Sequence, residues 1–219
     1  MFDSVNVIGR GRVGSAIAAR LAERGVELRE DAELTLLCVP DNAIPAVANS
    51  LSLGQGWIAH VSGATTLTAL VRIERRFGMH PLQTFTRSRG AEQLDGAWAA
   101  VSGETPEARE HGFELARTLG LRPFELADSA RPVYHAGAAI ASNYLVALQR
   151  AAARLFEAAG APPEALVPLM TRTIENGFEL TGPIARGDRH TVDAHVRAIH
   201  EEAPELESLY TVLAEATRP

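Results

Sequence analysis

Three glycines near the amino end are the first residues with a spacing that indicates chemistry. The segment reads Val5-Asn-Val-Ile-Gly9-Arg-Gly11-Arg-Val-Gly14, a GxGxxG pattern between a predicted strand and a predicted helix. Gly9 permits a tight turn, Gly11 lets the backbone approach a pyrophosphate, and Gly14 lets helix and strand pack closely. The free N–H groups and the dipole of the helix N-terminus also favour phosphate. The loop predicts dinucleotide binding, with Arg10, Arg12 and Val13 as further contacts; the alternative is a tight turn that holds no ligand.

A histidine before a proline is the leading candidate for proton transfer. His80 precedes Pro81, which disfavours helical backbone at His80, so we expect its imidazole to project from a loop. Histidine titrates near neutral pH and suits general acid–base work. All 21 basic residues are arginine, so a lysine acid, base or Schiff base is excluded. The alternative for His80 is a hydrogen-bonded structural histidine.

Polar residues on a long alanine-rich helix form a second candidate group. At about 100° per residue, Ser142 falls within about 20° of His135 and Asn143 about 80° round the helix. Such groups in an apolar helix must find partners. His135 and Asn143 are therefore predicted catalytic residues, with a buried structural network as the alternative.

The remaining predicted cofactor contacts follow the second, third and fourth strands. At the end of the third strand, Pro40 and Asn42 fit a wall beside a nicotinamide riboside, with Val39 as a further predicted contact. The alternative is a strand end followed by Asp41 as the N-cap of the next helix. After the fourth strand, Ser62 and Gly63 offer a hydroxyl and an N–H to substrate or nicotinamide. Arg29, with Arg10 and Arg12, could meet a 2′-phosphate and favour NADP. Glu27 or Glu30 would instead favour NAD, and solvated surface charge is the alternative for all of these. The stretch from Gly25 to Leu34 leaves no room for the usual helix after the second strand, so the adenosine pocket is predicted to be open or degenerate.

Composition sets the broad class. The 219 residues are 46% hydrophobic and 22% charged, which is typical of a globular protein, and the net charge of −6 argues against a dedicated nucleic-acid binder. The single cysteine, Cys38, excludes an intrachain disulfide and offers no zinc spacing, so no metal is expected and a cytoplasmic location is predicted. No targeting or membrane-spanning segment is expected, because the longest uncharged helical stretch has only about 13 residues against roughly 20 needed.

Hydrophobic periodicity predicts an α/β fold, with an N-terminal parallel-sheet domain over residues 1–128 and an all-α domain over 129–219. The predicted strands are Val5–Ile8, Val26–Leu28, Leu34–Val39, Trp57–Val61, Ala97–Val101 and Pro123–Leu126. The predicted helices are Gly14–Glu23, Asn42–Leu51, Leu67–Arg76, Pro106–Leu119, Arg131–Ala159, Pro163–Phe178, Thr191–Glu202 and Glu205–Ala216.

Four later motifs carry a family resemblance. They are His60-Val-Ser-Gly-Ala64, Gly78-Met-His-Pro-Leu-Gln-Thr-Phe85, the run from Tyr134 to Tyr144, and Thr181-Gly-Pro-Ile-Ala-Arg-Gly-Asp188. Over nearly the whole chain they resemble bacterial Rossmann-like proteins with a DUF2520 C-terminal domain. More distantly, the layout is similar to the 6-phosphogluconate dehydrogenase-like superfamily, which includes pyrroline-5-carboxylate reductases, prephenate dehydrogenases and F420-dependent NADP reductases.

The resemblance implies NAD(P)-dependent redox chemistry on a small carbonyl, imine or hydroxy acid in the crevice between domains. It also implies a homodimer formed through the helical domain, and it favours NADP or NAD over F420 as cofactor. One departure excludes the hydroxyacid dehydrogenase mechanism, because Ala139 stands where that branch has a lysine four residues before the asparagine. The competing hypothesis is a non-catalytic nucleotide-binding sensor or scaffold with a degenerate adenosine pocket.

Overall fold

The computed structural model describes residues 2–51 and 56–217, which form a seven-stranded sheet with flanking helices and then a helical region. The strands are β1 Ser4–Ile8, β2 Glu27–Leu28, β3 Leu34–Leu37, β4 Trp57–His60, β5 Arg76–Leu82, β6 Trp98–Ser102 and β7 Arg122–Glu125. The α-helices are α1 Arg12–Glu23, α2 Ile44–Ser50, α3 Pro106–Thr118, α4 Arg131–Ala139, α5 Leu145–Ala158, α6 Leu166–Glu175, α7 Arg189–Glu202 and α8 Glu207–Ala216.

The sheet has the order β2-β1-β3-β4-β5-β6-β7 and is parallel except for the β5–β6 pair. Because β1, β3, β4 and β5 run the same way, their carboxyl ends meet at one edge of the sheet. Ligands of open α/β folds bind outside that edge. The predicted α/β, Rossmann-like architecture is confirmed.

Apolar packing covers both faces of the central strands. Ile17 and Leu21 of α1 join one core cluster with Leu34 and Leu36 of β3, and Leu37 joins a second cluster with α2. All five side chains are at most 1% exposed. A strand buried on both faces requires the continuous apolar run that the sequence shows at β3.

The predicted helix over Leu67–Arg76 is wrong, and so is the loop predicted around His80. Only Leu67–Leu70 forms a 3₁₀ turn, and β5 begins at Arg76 and contains His80. Proline is uncommon inside a β-strand, so Pro81 indicated a loop and not a strand at His80. The structure tolerates Pro81 because the pairing with β4 ends at Gly78, so the outer part of β5 pairs only with β6.

The edge strand β2 is short and ends early. Its register pairs Glu27 with Ser4 and Leu28 with Val5, so it stops three residues before β1 ends at Ile8. Residues 29–33 then lead directly into β3, without a helix, as the sequence predicts. The chain after β2 therefore leaves the sheet opposite Val5, three residues before the end of β1, where the glycine loop begins.

The predicted helix Arg131–Ala159 is helical up to Ala158, but it is not a single α-helix. Residues Ile140–Tyr144 are π-helical, a geometry that recurs at functional sites. The predicted angles between His135, Ser142 and Asn143 assumed an unbroken α-helix, and that assumption is wrong.

The chain divides into two compact units, Met1–Ala139 and Ile140–Pro219. The division lies after α4, because the side chains of Arg131 and Tyr134 bond to residues of the sheet unit. The assignment of residues 1–128 to cofactor binding and 129–219 to substrate binding and dimerisation stays a prediction. None of the helices within the described ranges is long and apolar enough to cross a membrane.

Candidate functional site

The glycine loop is built so that two of its glycines are required by the protein's own packing and the third is not. Gly9 has φ +97°, and a Cβ there would overlap the Cys38 carbonyl group. A Cβ on Gly14 would overlap the carbonyl oxygen of Gly9. A Cβ on Gly11 would meet no atom within 4 Å. The space beside Gly11 is therefore open to a ligand.

The first turn of α1 faces this space without a cap. Gly11 is the N-cap residue, no side chain accepts a hydrogen bond there, and the first turn contains no acidic residue. The uncapped N–H groups and the helix dipole make this a site for an anion. Arg10 and Arg12 are exposed, Val13 is half-buried, and neither arginine has an ion pair within the described residues.

The other predicted cofactor contacts of the sheet edge lie on neighbouring strands. Val39 follows β3 and its Cγ1 lies 3.1 Å from the Cβ position of Gly9, with exposed Pro40 next to it. Ser62 and Gly63 follow β4 and are buried. The strand order thus brings these residues to the same edge as the glycine loop.

His80, His135 and Tyr134 form a cluster against Gly63. The Nδ1 atom of His80 is hydrogen-bonded to the Tyr134 hydroxyl at 2.8 Å, and the rings of His80 and His135 meet edge to face with centroids 5.8 Å apart. A Cβ on Gly63 would lie 2.9 Å from His80 Nε2 and 2.5 Å from His135 Cδ2. Gly63 thus gives both imidazoles room at the carboxyl end of β4.

The surroundings of His80 keep it neutral. Burial lowers its pKa to about 4, assisted by repulsion from His135 and Arg131, while Asp41 after β3 acts in the opposite direction. Burial also raises the pKa of Tyr134 to about 12, so its hydroxyl stays protonated. At neutral pH the pair is therefore a neutral phenol bonded to a neutral imidazole.

A fully buried arginine fixes the turn that carries Gly63. Arg131 donates from Nη1 to the carbonyl oxygen of Ser62 at 2.6 Å and from Nε to the hydroxyl of Ser102 at 3.1 Å. Asp128 balances its charge at 3.2 Å. Arg131 ties the ends of β4 and β6 to α4, three residues before Tyr134.

His60 and Cys38 lie under the site but have no proton to exchange near neutral pH. His60 is fully buried, and neither ring nitrogen has a partner within the described residues. Burial, with repulsion from Arg131, lowers its pKa to about 3. Burial raises the pKa of the Cys38 thiol to about 12, so the thiol is not a nucleophile. No group of three metal-binding side chains occurs among the residues that the structure describes.

Two predicted site residues are placed elsewhere. The guanidinium of Arg29 donates to the hydroxyl of Ser4 at the start of β1 and pairs with Glu27 at 3.2 Å, so the structure does not bring it to the glycine loop. Asn143 lies in the helical unit, exposed on the π-helical turn, and its catalytic role stays a prediction.

The sequence missed Tyr134, Arg131 and Asp41 as partners of the histidines. Tyr134 lay within a recognised motif next to His135, but nothing in its spacing linked it to His80, which is 54 positions away. Only the packing of α4 against the ends of β4, β5 and β6 reveals the contact.

Comparison with known proteins agrees with the family resemblance of the motifs. The family described as "Domain of unknown function (DUF2520)" matches residues 97–217, more than half of the chain. The chain belongs to the DUF2520 family. The match of this DUF2520 protein begins at the last two strands of the sheet, so it includes α4 with Arg131, Tyr134 and His135. No curated protein sequence matches significantly.

Solved structures share the fold across almost the whole chain of this DUF2520 protein. A candidate NADP oxidoreductase from Bacteroides fragilis is similar with a TM-score of 0.80 and 18% identity, covering 97% of this chain and 96% of the other. A Thermotoga maritima protein has a TM-score of 0.77 and 23% identity, with the same two coverages. Pyrroline carboxylate reductase of Plasmodium falciparum, solved with NADP bound, has a TM-score of 0.61 and 11% identity over 97% and 94% of the two chains.

Proposed function

We propose that this DUF2520 protein is an NAD(P)-dependent oxidoreductase that acts on a small carbonyl, imine or hydroxy acid. The observation that carries the proposal is the open position at Gly11. Gly9 and Gly14 lack side chains because the loop could not pack otherwise, whereas the protein's own atoms do not require glycine at Gly11. Close approach of the backbone to a pyrophosphate would require glycine at this position, because a side chain would keep the two apart.

The residues at the sheet edge fit such a cofactor. Gly9–Gly14, with Arg10, Arg12 and Val13, would hold the pyrophosphate against the uncapped start of α1. Val39, Pro40, Ser62 and Gly63 follow the next two strands and would line the nicotinamide half. When bound, the nicotinamide supplies or accepts a hydride. The names of the Bacteroides and Plasmodium structures support NADP chemistry on this fold.

His80 supplies the proton that accompanies hydride transfer. In this proposal the Tyr134 hydroxyl donates to Nδ1 across the 2.8 Å contact, so the proton of the neutral imidazole sits on Nε2. Nε2–H then donates to the oxygen or nitrogen of the substrate. As that atom gains charge, the Nε2 proton passes to it, and Nδ1 takes the phenolic proton of Tyr134. Burial raises the pKa of Tyr134, and the positive charge of Arg131 partly offsets that rise, so Arg131 stabilises the resulting tyrosinate until water reprotonates it.

His135 orients the substrate beside this donor in the proposed mechanism. Its ring packs edge-on against His80 and lies against the same Gly63. Burial and, after it, repulsion from His135 lower the pKa of His80. Asn143, on the π-helical turn, stays a predicted catalytic residue.

A sensor or scaffold that binds nucleotide without catalysis is the second candidate. The early end of β2 favours it, because the residues that usually read the adenosine ribose follow this strand at the level of the glycine loop. This alternative predicts nucleotide binding without turnover and without a functional need for the His80–Tyr134 pair.

We also propose that the protein is a homodimer formed through the helical unit. Large apolar side chains of that unit are widely exposed, among them Ile140 at 60%, Val146 at 50%, Val167 at 59%, Leu169 at 60% and Ile174 at 51%. Exposed apolar surface of this extent usually marks an interface, and two-fold dimers are the commonest closed assembly.

A thermal-shift screen against NAD(H), NADP(H) and F420, followed by a turnover assay, tests the proposed function. A ligand present at 100 times its Kd stabilises the folded state by about 2.7 kcal/mol. We expect NADP(H) or NAD(H) to raise the unfolding temperature, and a panel of small carbonyls, imines and hydroxy acids to yield substrate-dependent turnover. Binding without turnover on any panel member would favour the sensor, and no binding at millimolar dinucleotide would contradict the proposal.

A further inference from the structure

A second cationic feature lies beside the glycine loop and was not indicated by the sequence motifs. A cavity of about 360 Å³ opens between the start of α1 and the segment that follows β5. This volume is near the lower end of the range for ligand sites, about 300–1,000 Å³. Its lining includes Arg10, Gly11 and Arg12 on one side and Arg87 and Arg89 on the other.

The lining of the cavity is strongly basic in a chain whose net charge is −6. Four of its residues are arginines and none is acidic. Arg89 has a carboxylate partner, Glu92, at 3.4 Å. Within the described residues, Arg10, Arg12 and Arg87 have no ion pair, so most of the positive charge is uncompensated. Such a cluster favours an anion with more than one charge.

The segment carrying Arg87 and Arg89 is held in place by a buried side chain. Gln93 is 2% exposed and accepts a hydrogen bond from the Thr86 N–H at 2.7 Å. Its amide donates to the carbonyl oxygens of Arg89 at 2.9 Å and Gly90 at 3.0 Å. A buried amide that satisfies several backbone groups gives the segment a defined shape. The two arginines are therefore presented by a built turn.

The same segment is anchored to the helix that begins at the glycine loop. Arg20 of α1 is 6% exposed and donates to the carbonyl oxygen of Ala91 at 3.0 Å and to Asp95 at 2.6 Å. These bonds fix residues 86–95 against α1. Arg87 and Arg89 thus stay opposite Arg10 and Arg12 across the cavity.

We infer that Arg87 and Arg89, across the cavity from Arg10 and Arg12, bind a phosphate group beyond the pyrophosphate, namely the 2′-phosphate of NADP. This inference rests on the proposed function. A phosphate monoester carries about −1.5 to −2 charges near neutral pH, and arginine can bind it with two parallel hydrogen bonds. On the other side of β1, Arg29 is paired with Glu27 and bonded to Ser4, so the usual position after β2 supplies no free charge at the glycine loop.

Calorimetric titration of the full chain with NADPH, NADH and inorganic pyrophosphate tests the inference. The variants are Arg87→Gln and Arg89→Gln. The matched control is Arg72→Gln, because Arg72 is exposed and precedes the opposite, amino end of β5. Circular dichroism checks that each variant folds. We expect each test variant to weaken NADPH binding about tenfold or more while NADH binding stays within twofold, and the control to match the wild type.

The possible outcomes separate this inference from the proposed function. NADPH binding that survives both substitutions unchanged overturns the inference and leaves the oxidoreductase proposal standing. An equal loss for NADPH and NADH overturns the selection of NADP, because it assigns the arginines to the shared pyrophosphate. If the wild type binds pyrophosphate through Arg87 but neither dinucleotide, the phosphate cavity is supported and both the proposed function and the selection of NADP are overturned.

Discussion

The sequence and the structure give different grounds for a role of His80 in proton transfer. The sequence favours it because free histidine titrates near neutral pH. In the structure its pKa is lowered to about 4, so it has no proton to release by ordinary titration at pH 7. What the structure offers instead is a neutral imidazole hydrogen-bonded through Nδ1 to the Tyr134 hydroxyl. The proposed role survives, but its pH dependence changes.

Substitutions in the His80–Tyr134 pair test this role. We expect His80→Asn to lower turnover by about 10²–10⁴-fold and leave dinucleotide affinity nearly unchanged, because a positioned acid contributes about that much. Tyr134→Phe should lower kcat by at least about tenfold. In the wild type His80 should contribute no inflection between about pH 5 and 8, because its pKa is lowered to about 4. The measurements are steady-state kinetics across pH.

A matched pair elsewhere in the chain provides the control. His195 Nδ1 is hydrogen-bonded to the Tyr210 hydroxyl at 2.7 Å on the helical unit, with the same edge-to-face ring contact. Tyr210→Phe removes the same atoms from the same kind of pair and should leave kcat unchanged. If Tyr134→Phe behaved like Tyr210→Phe, the relay would be contradicted.

Buried neutral histidines should also make the fold sensitive to acid. The pKa values of His60 and His80 are about 3 and 4 in the folded chain, against about 6.5 when unfolded. Near pH 5 the unfolded chain therefore binds more protons at these two sites, so stability falls as pH drops below about 6.5. Above that pH both sites are neutral in both states and contribute no pH dependence.

Thermal unfolding at pH 5 and pH 7.5 measures this effect. We expect His60→Leu to reduce the loss of unfolding temperature between the two pH values, because it removes a buried group whose nitrogens have no partner. His200→Leu is the control, since His200 is exposed and bonded to Glu207 at 2.8 Å. An acid-induced loss as large in His60→Leu as in the wild type would contradict the assignment.

At the scale of elements, the sequence predicts the parts of the fold that depend on local pattern and misses those that depend on a partner. The apolar run of β3 and the glycines before α1 are readable because burial and turn geometry dictate residue type directly. β5 is missed because Pro81 suggests a loop, and the proline is tolerated only where pairing with β4 has ended. The π-helical turn at Ile140–Tyr144 has no residue signature of its own.

The residues of the candidate site also divide into those that local sequence pattern predicts and those that depend on distant packing partners. The GxGxxG loop, His80 and the Ser62–Gly63 turn are each recognisable from types and spacing. The contacts of Tyr134, Arg131 and the Arg87–Arg89 turn arise from segments far apart in the chain. They depend on how α4 and residues 86–95 pack, which a single sequence does not encode at short range.

The glycine loop itself makes a prediction at this scale. Gly14→Ala should destabilise the protein by about 1–3 kcal/mol or more, because its Cβ would overlap the backbone of Gly9. Gly11→Ala should change stability little, because its Cβ would meet open space. Denaturant unfolding of both variants measures the difference. Equal destabilisation would contradict the packing described for the loop.

At the scale of the whole molecule, the exposed apolar faces of the helical unit predict a dimer. Sedimentation should give twice the chain mass of 23.4 kDa, independent of concentration in the micromolar range. Val167→Asp should yield monomer, because a charge in an apolar interface is unfavourable. Val71→Asp is the matched control: Val71 is 70% exposed in the sheet unit against 59% for Val167. A wild-type monomer, or a dimer that survives Val167→Asp, would contradict the proposed interface.

The open space at Gly11 is the basis of the proposed function, and a dinucleotide titration of a filled variant tests it most directly. Gly11→Val puts a side chain where the pyrophosphate would lie, and a Cβ there meets no atom within 4 Å. Gly137→Val is the matched control, because a Cβ at this position of α4 also meets no atom within 4 Å. Calorimetry on wild type and Gly137→Val should show binding of NADPH or NADH. Gly11→Val, equally stable, should bind at least about 100-fold more weakly. Unchanged binding in a folded Gly11→Val variant would contradict the account.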